Sequence, residues 1–161
     1  MKSLEDVNIL VVGDIMLDKY TIGSVERISP EAPVPVVNVS REYEVLGGCG
    51  NVANNISILG CKISCLASIG NDIAGERVLE LLSENNIDTS FITKSSRITT
   101  IKERIVAGER QIQMLRIDRE CKEPIEPVFL KNNILHSIRE RKFDYIITVS
   151  YTHLTLPTIY S

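Results

Sequence analysis

The stretch that decides the fold is Val7–Gly13, which reads VNILVVG. This short run of apolar and β-branched residues stops at a glycine, a pattern typical of a strand buried on both faces of a parallel sheet. Runs of similar character recur along the chain at 63–69, 87–93 and 143–147. Segments with helical spacing or helix-end signals separate them, at 51–59, 73–85 and 127–141. This alternation of strands and helices predicts an α/β fold.

Two further segments interrupt that alternation, at 20–39 and 97–118. Pro30, Pro33 and Pro35 exclude a helix or a central strand around them, so the first segment is expected to be extended edge structure. The second contains two strand-like runs joined by residues 107–110, which predicts a hairpin. We expect the two segments to form a separate small sheet.

The composition of the 161-residue chain is that of an ordinary globular domain, with 43% apolar and 24% charged residues. Its net charge of −3 gives no general attraction to nucleic acid, so we expect no nucleic-acid partner. No run of about 18 apolar residues occurs, so we expect no membrane span, and Met1–Asp6 lacks signal-peptide character. The four cysteines form no Cys-x-x-Cys pair, so we expect no metal site and reduced thiols in a cytoplasmic protein.

Candidate ligand-binding residues begin with Gly47, Gly48 and Asn51, which precede a predicted helix. Glycines let the backbone approach a ligand closely, and the first-turn amides of a helix favour anions or hydroxyl oxygens. The Asn51 side chain can both donate and accept hydrogen bonds, which suits sugar hydroxyls. The spacing is neither that of a Walker loop nor that of Gly-x-Gly-x-x-Gly. The alternative is a glycine pair that only forms a turn.

Two carboxylates, Asp14 and Asp18, follow the first predicted strand. In open α/β sheets, ligands bind at the carboxyl ends of the strands, so both are candidate substrate-binding residues. A carboxylate at this edge can accept hydrogen bonds from two sugar hydroxyls. The alternative is that one of them caps a turn or pairs with Lys19.

Three stretches together resemble the ribokinase (PfkB-type) carbohydrate kinases: VVGDIMLDKY at Val11–Tyr20, RISPEAPVPV at Arg27–Val36 and GGCGNVANNI at Gly47–Ile56. The second stretch is similar to the heptose 7-phosphate kinase domain of ADP-heptose synthases. The resemblance runs from about Val7 to Ile147. It implies a ribokinase-like three-layer fold with a parallel sheet, incomplete in this chain, and a small β-sheet lid at about 20–39 and 97–118.

The resemblance also implies roles for particular residues. Asp18 matches the family aspartate that binds sugar hydroxyls, and Gly47, Gly48 and Asn51 match the sugar-binding turn. The implied substrate is a sugar phosphate, heptose 7-phosphate, with ATP and Mg²⁺ as cofactors of the full-length enzyme. The lid implies a homodimer, because it often pairs two subunits in this family.

Lys102 and Arg104 lie two residues apart on the second lid segment, so in a strand they share one face. As charge-assisted donors they could hold the phosphate of the substrate. The alternative is a solvated strand face on which they pair with Glu103, Glu109 or Asp118.

The family's catalytic aspartate, a general base, belongs to a Gly-Ala-Gly-Asp-type motif much later in the chain. This sequence contains no Gly-x-Gly-Asp motif, and the resemblance places most nucleotide-binding segments in the same later part. We therefore expect an N-terminal fragment with no catalytic residue and no kinase activity. The alternatives are another PfkB-type kinase for a different sugar or nucleoside, and a non-catalytic sugar-binding or dimerisation module.

The final residues differ in character from the rest, since Tyr145–Ser161 carry no formal charge. From Thr148 the chain departs from the Ser-Asp-Tyr-like turn of the family, and 149–158 match one reading frame of a transposon-type sequencing adapter. We therefore interpret residues 1–147 as part of a carbohydrate kinase domain and 148–161 as a non-native tail.

Overall fold

The computed structural model describes residues 3–108, 112–121, 136, 139 and 143–150. After a 3-10 helix at Leu4–Asp6, its elements are β1 (Asn8–Gly13), β2 (Ile15–Ile28), β3 (Pro35–Gly48), α1 (Cys49–Ile58), β4 (Lys62–Gly70), α2 (Ile73–Glu84), β5 (Asp88–Ser95), β6 (Thr100–Ala107), β7 (Ile112–Arg119) and β8 (Tyr145–Val149). His136 and Arg139 are helical, and the rest of the helix predicted at 127–141 lies outside the described residues. No helix among the described residues is long and apolar enough to cross a membrane.

Four parallel strands form the first sheet, in the order β5-β4-β1-β8. Alternate residues of β1 pack to opposite sides: Ile9 and Val11 lie in a cluster with α1 and α2, whereas Leu10 and Val12 pack with Leu66 on the other side. The VNILVVG stretch is therefore buried on both faces, as predicted from its continuous apolar character. The predicted α/β class is confirmed.

The second sheet is mixed and has the order β3-β2-β6-β7. β2 pairs antiparallel with β3 and parallel with β6, and the β6–β7 hairpin is antiparallel as predicted. The first two strands of this sheet, β2 and β3, extend from Ile15 to Gly48, well beyond both ends of the predicted segment 20–39. The strands are longer because Ile15, Leu17 and Leu46 belong to the core cluster beneath the first sheet, so one pair of strands joins the core to the second sheet.

Three local features differ from or extend the sequence pattern. Gly47 and Gly48 end strand β3 and pair with Met16 and Ile15 of β2, so the alternative of a glycine pair that only forms a turn is wrong. Asp18 follows β1, as expected, and lies within β2. Ile73 is 90% exposed, because at the first position of α2 it precedes the buried face formed by Ala74, Gly75, Val78, Leu81 and Leu82.

A buried polar junction sets where β6 begins. The Asp72 carboxylate caps α2 by accepting a hydrogen bond from the Gly75 amide at 2.8 Å, and its other oxygen accepts one from the Thr99 amide at 2.8 Å. The Thr99 hydroxyl in turn accepts a hydrogen bond from the Gly70 amide at 2.8 Å. One carboxylate thus joins the end of β4, the start of α2 and the residue before β6.

The segment interpreted as a non-native tail lies mainly outside the described residues, which end at Ser150. Its first residues, Thr148 and Val149, belong to β8 and pair with Val12 and Gly13 of β1. The interpretation of 148–161 as foreign sequence therefore stays a prediction.

Candidate functional site

An ion pair across the second sheet connects two of the predicted site residues. Arg104 Nη1 in β6 lies 2.9 Å from Asp18 Oδ1 in β2, and both side chains are mostly buried. The contact is an ion pair, and Oδ1 has no well-aligned hydrogen-bond partner among the residues that the structure describes. Burial works against the charge of Arg104, but Asp18 outweighs it and holds the pKa of the guanidinium above its ordinary value. Asp18 can therefore accept a hydrogen bond from a ligand hydroxyl.

Gly47 brings bare backbone against that carboxylate. A Cβ atom at Gly47 would lie 2.9 Å from Asp18 Cγ and 2.6 Å from Met16 Cγ. Gly48 has a φ of 60°, a conformation that disfavours other residues, and a Cβ there would lie 2.2 Å from the Asp14 carbonyl oxygen. The glycine pair is thus required by close packing beside Asp18.

Helix α1 begins directly after the glycine pair. The Cys49 amide donates a hydrogen bond to the Asp14 carbonyl oxygen at 2.9 Å, so Asp14 contributes its backbone to this junction. Asn51 lies in the first turn of α1 and is exposed. Strands β2 and β3 therefore bring Gly47, Gly48 and Asp18 together. Asn51 follows in the first turn of α1.

A row of stacked cationic and aromatic side chains extends from Arg104 across the sheet. The Arg104 guanidinium lies 5.2 Å from the centre of the Tyr20 ring, and Tyr20 stacks on Tyr43 with centres 4.8 Å apart and planes 8° from parallel. Arg41 covers the far side, 4.9 Å from the Tyr43 ring centre. We call Arg41, Tyr43, Tyr20 and Arg104 the aromatic row. Cation–π contact and stacking hold Arg104 beside Asp18.

Lys102 lies directly opposite Asp18 in the β2–β6 register, while Arg104 lies opposite Tyr20. Because residues in register share a face, Lys102, Arg104, Asp18 and the aromatic row all lie on one face of the sheet. The pairings considered from the sequence are different in the structure. Arg104 pairs with Asp18, whereas Glu103 on the opposite face pairs with Arg119 and Asp118 pairs with Arg116.

Sequence reasoning missed the contributions of Tyr20, Tyr43 and Arg41. Tyr20 lies two residues after Asp18, so strand alternation places both side chains on one face. That signal was available for Tyr20. Tyr43 and Arg41 join the row only through the β2–β3 register, which places Tyr43 opposite Tyr20 and Arg41 opposite Ile22.

The described residues do not fit a metal site. No three His, Cys, Asp or Glu side chains come together as metal ligands in the part of the chain that the structure describes. We therefore assign no step to Mg²⁺ at these residues.

Sequence comparison now identifies the family. Residues 7–150 match the pfkB family carbohydrate kinase profile. The chain belongs to this family. The Gly-Gly-x-x-Asn element and the strand that carries Asp18 both lie within the matched range, so the resemblance noted from these stretches is confirmed.

Two relatives with longer chains share much of this sequence. The chain is 43% identical over 149 residues to the bifunctional protein HldE of Geobacter metallireducens, covering 91% of this chain and 30% of that protein. It is 45% identical over 112 residues to the D-beta-D-heptose 7-phosphate kinase of Bordetella bronchiseptica, covering 70% of this chain and 35% of that protein. The chain thus spans about a third of the length of these relatives.

Solved PfkB-like structures share the fold. A putative ribokinase from Agrobacterium tumefaciens superposes with a TM-score of 0.62 at 21% identity, covering 88% of this chain and 44% of that one. A putative sugar kinase from Clostridium perfringens gives a TM-score of 0.65 at 18% identity, covering 88% and 43%. The arrangement of a parallel sheet and a second mixed sheet is therefore ribokinase-like.

Proposed function

We propose that this chain is the sugar-binding part of an ATP-dependent heptose 7-phosphate kinase. The observation that carries the proposal is the Asp18–Arg104 pair beside Gly47, which combines a hydroxyl acceptor with a cation on one face of the sheet. Similarity to heptose 7-phosphate kinase over 70% of the chain supports the choice of substrate. The reaction transfers a phosphoryl group from ATP to a hydroxyl of the sugar phosphate.

Asp18 is proposed to orient the sugar. Its buried Oδ1 contacts Arg104 but receives no well-aligned hydrogen bond from any described residue, and a sugar hydroxyl would supply one. Gly47 lets strand β3 pack directly against Asp18 and Met16, which fixes the position of the carboxylate. Asn51, exposed in the first turn of α1, is proposed to hydrogen-bond a second hydroxyl, and Gly48 and the Asp14 backbone fix the start of that helix.

Arg104 and Lys102 are proposed to bind the phosphate of the substrate. The planar guanidinium can donate two parallel hydrogen bonds to phosphate oxygens, while Lys102 acts as a point charge. The contact with the Tyr20 ring restrains the plane of the Arg104 guanidinium, so its N–H donors keep one orientation. Asp18 would then bind the hydroxyl groups of the ligand, and Arg104 would bind its phosphate.

The chemical step needs groups outside these residues. The sequence has no Gly-x-Gly-Asp motif to supply a general base, and phosphoryl transfer depends on precise positioning of nucleotide and metal charges. We propose that ATP and Mg²⁺ bind to other parts of a longer protein, and that the 161-residue chain alone transfers no phosphate. The contribution of the described residues is to bind and orient the sugar.

The opposite face of the second sheet is proposed to pair two subunits. Val25, Val37 and Val39 share this face with Ile112 and Leu115 through the strand registers. Four of the five side chains are exposed, Val39 by 55% and Ile112 by 60%. These apolar side chains share the face with the Glu103–Arg119 and Lys19–Glu42 ion pairs. Their exposure favours burial against a second copy of the chain, in line with the dimer that the family resemblance implies.

Ligand-observed NMR with the 161-residue chain tests the sugar-binding proposal. Heptose 7-phosphate is expected to give saturation transfer that ribose 5-phosphate and unphosphorylated heptose give more weakly, since each lacks part of the recognised chemistry. Asp18→Asn should weaken the signal, whereas Asp6→Asn, whose carboxylate is exposed in the 3-10 helix, should leave it unchanged. Equal signals from all three compounds would contradict the proposed substrate.

A further inference from the structure

Two buried thiols lie in contact beside the glycine pair. The Sγ atom of Cys49, the first residue of α1, is 3.9 Å from the Sγ atom of Cys65 in β4. Both side chains are fully buried, whereas Cys61 and Cys121 are partly exposed. The proposed sugar-binding chemistry uses neither Cys49 nor Cys65.

We propose that Cys49 and Cys65 form a reversible disulfide under oxidising conditions. A disulfide bond is about 2.05 Å long, so the two sulfurs would have to approach by about 1.9 Å. Gly48, with a φ of 60°, and Gly50 flank Cys49, whereas Cys65 lies in a strand paired on both sides, to β1 and to β5. The Cys49 side of the pair therefore makes most of the movement.

The reaction needs a two-electron oxidant of the peroxide class, such as hydrogen peroxide. The thiolate of one cysteine attacks a peroxide oxygen, becomes a sulfenic acid and releases hydroxide, which takes up the proton of that thiol as water. The second thiol loses its proton and attacks the sulfenic sulfur, which forms the S–S bond and releases a second water. Two electrons pass from the sulfurs to the peroxide, and a dithiol reductant reverses the step.

The closed fold protects the pair. The contact with Cys65 and then burial raise the pKa of the Cys49 thiol well above its ordinary value. Since the thiolate is the reactive form, oxidation proceeds when the first turn of α1 opens, and it is slower than oxidation of an exposed thiol. The pair therefore reports on opening of the helix start that follows Gly47 and Gly48.

Disulfide formation would alter the site described above. Cys49 carries the amide that donates to the Asp14 carbonyl oxygen at 2.9 Å, and it lies between Gly48 and Asn51. Movement of Cys49 toward β4 would also move Gly48 and Asn51 away from Asp18. The resulting loss of sugar affinity, about fivefold or more, rests on the proposed function, whereas the disulfide itself does not.

The experiment oxidises the folded 161-residue chain with hydrogen peroxide, blocks remaining thiols with iodoacetamide and maps the tryptic peptides by mass spectrometry. Cys49 and Cys61 fall in one tryptic peptide, 42–62, and Cys65 falls in the next, 63–77. Fragment ions therefore have to assign the link. We expect a Cys49–Cys65 link that dithiothreitol removes, that persists in Cys61→Ser and that is lost in Cys65→Ala.

Two results would overturn the proposal: a link through Cys61 in place of Cys49, or alkylated Cys49 and Cys65 after Cys61 and Cys121 have been oxidised. The peptide map of the unsubstituted chain decides this even if a variant fails to fold. Heptose 7-phosphate binding by the reduced and oxidised forms is measured separately. Failure of the reduced form to bind contradicts the proposed function, while the peptide map still decides whether the disulfide exists.

Discussion

Arg104 Nη1 lies 2.9 Å from Asp18 Oδ1, across neighbouring parallel strands of the second sheet. The contact joins residues from two distant parts of the sequence and places a cation beside a carboxylate oxygen that receives no well-aligned hydrogen bond within the described part of the chain. The pair is mostly buried, so each charge depends on the other more than in a surface ion pair. It is the centre of the candidate sugar phosphate site.

Replacing Asp18 by Asn is expected to weaken heptose 7-phosphate binding by about tenfold or more, a loss of about 1.4 kcal/mol. The amide cannot balance Arg104 and accepts hydrogen bonds less strongly than a carboxylate. Isothermal titration of the variant and of the Asp6→Asn control measures the difference. Unchanged affinity in Asp18→Asn would remove Asp18 from the site.

Replacing Tyr20 by Leu is expected to destabilise the chain by about 1–2 kcal/mol, because both the stack on Tyr43 and the cation–π contact with Arg104 are lost. Tyr20→Phe keeps a ring and should lose less than half of that. Urea unfolding followed by circular dichroism gives the free energies of unfolding. If the Phe and Leu variants lose equal stability, the aromatic row does not act through its rings.

Asp72 is expected to make folding stability depend on acid pH. Partial burial works against its charge, but the amides of Thr99 and Gly75 outweigh burial and hold the pKa of this carboxyl below its ordinary value. The stabilisation is therefore complete above the unfolded-state pKa and is lost as pH falls through the folded-state pKa. Melting temperatures from pH 7 to about pH 3 should fall less steeply in Asp72→Asn than in the unsubstituted chain.

The matched control is Asp6→Asn, since Asp6 is exposed in the 3-10 helix. Its pH profile should follow that of the unsubstituted chain. At neutral pH, Asp72→Ala is expected to cost about 2 kcal/mol, because the variant loses a helix cap and leaves the Thr99 amide without its acceptor. A parallel acid profile in Asp72→Asn would show that another group governs acid stability.

Charge on the apolar face of the second sheet is expected to separate a dimer. Val39 is 55% exposed on this face, in the edge strand β3, and Val39→Asp would place two carboxylates in the interface of a symmetric pair. Sedimentation velocity should show a dimer for the unsubstituted chain and a monomer for the variant. Ile58→Asp, an exposed change on α1, serves as the control and should leave the dimer intact.

Local signals determined much of the architecture. The continuous apolar run at Val7–Gly13 specifies a strand buried on both faces, and Asp72 specifies the start of α2 through its cap. The prolines at 30, 33 and 35 exclude a strand in the centre of a sheet. Pro35 is the first residue of β3, and β3 lies at the edge of its sheet. These features depend on residues close in sequence, so their pattern is readable without the fold. The sequence does not show that the glycine pair ends a strand, because its pairing with β2 is not local.

The sequence by itself determined that the chain is an α/β protein with a second sheet, and it marked Asp18, Gly47 and Arg104 as candidates for the proposed sugar phosphate site. Only the tertiary structure decided which of them meet. Strand register sets the partners, and a shift of one residue would turn every side chain of a strand to the opposite face. The β2–β6 and β2–β3 registers therefore assign Arg104 to Asp18 and Tyr43 to Tyr20, and no local pattern in the sequence carries that information.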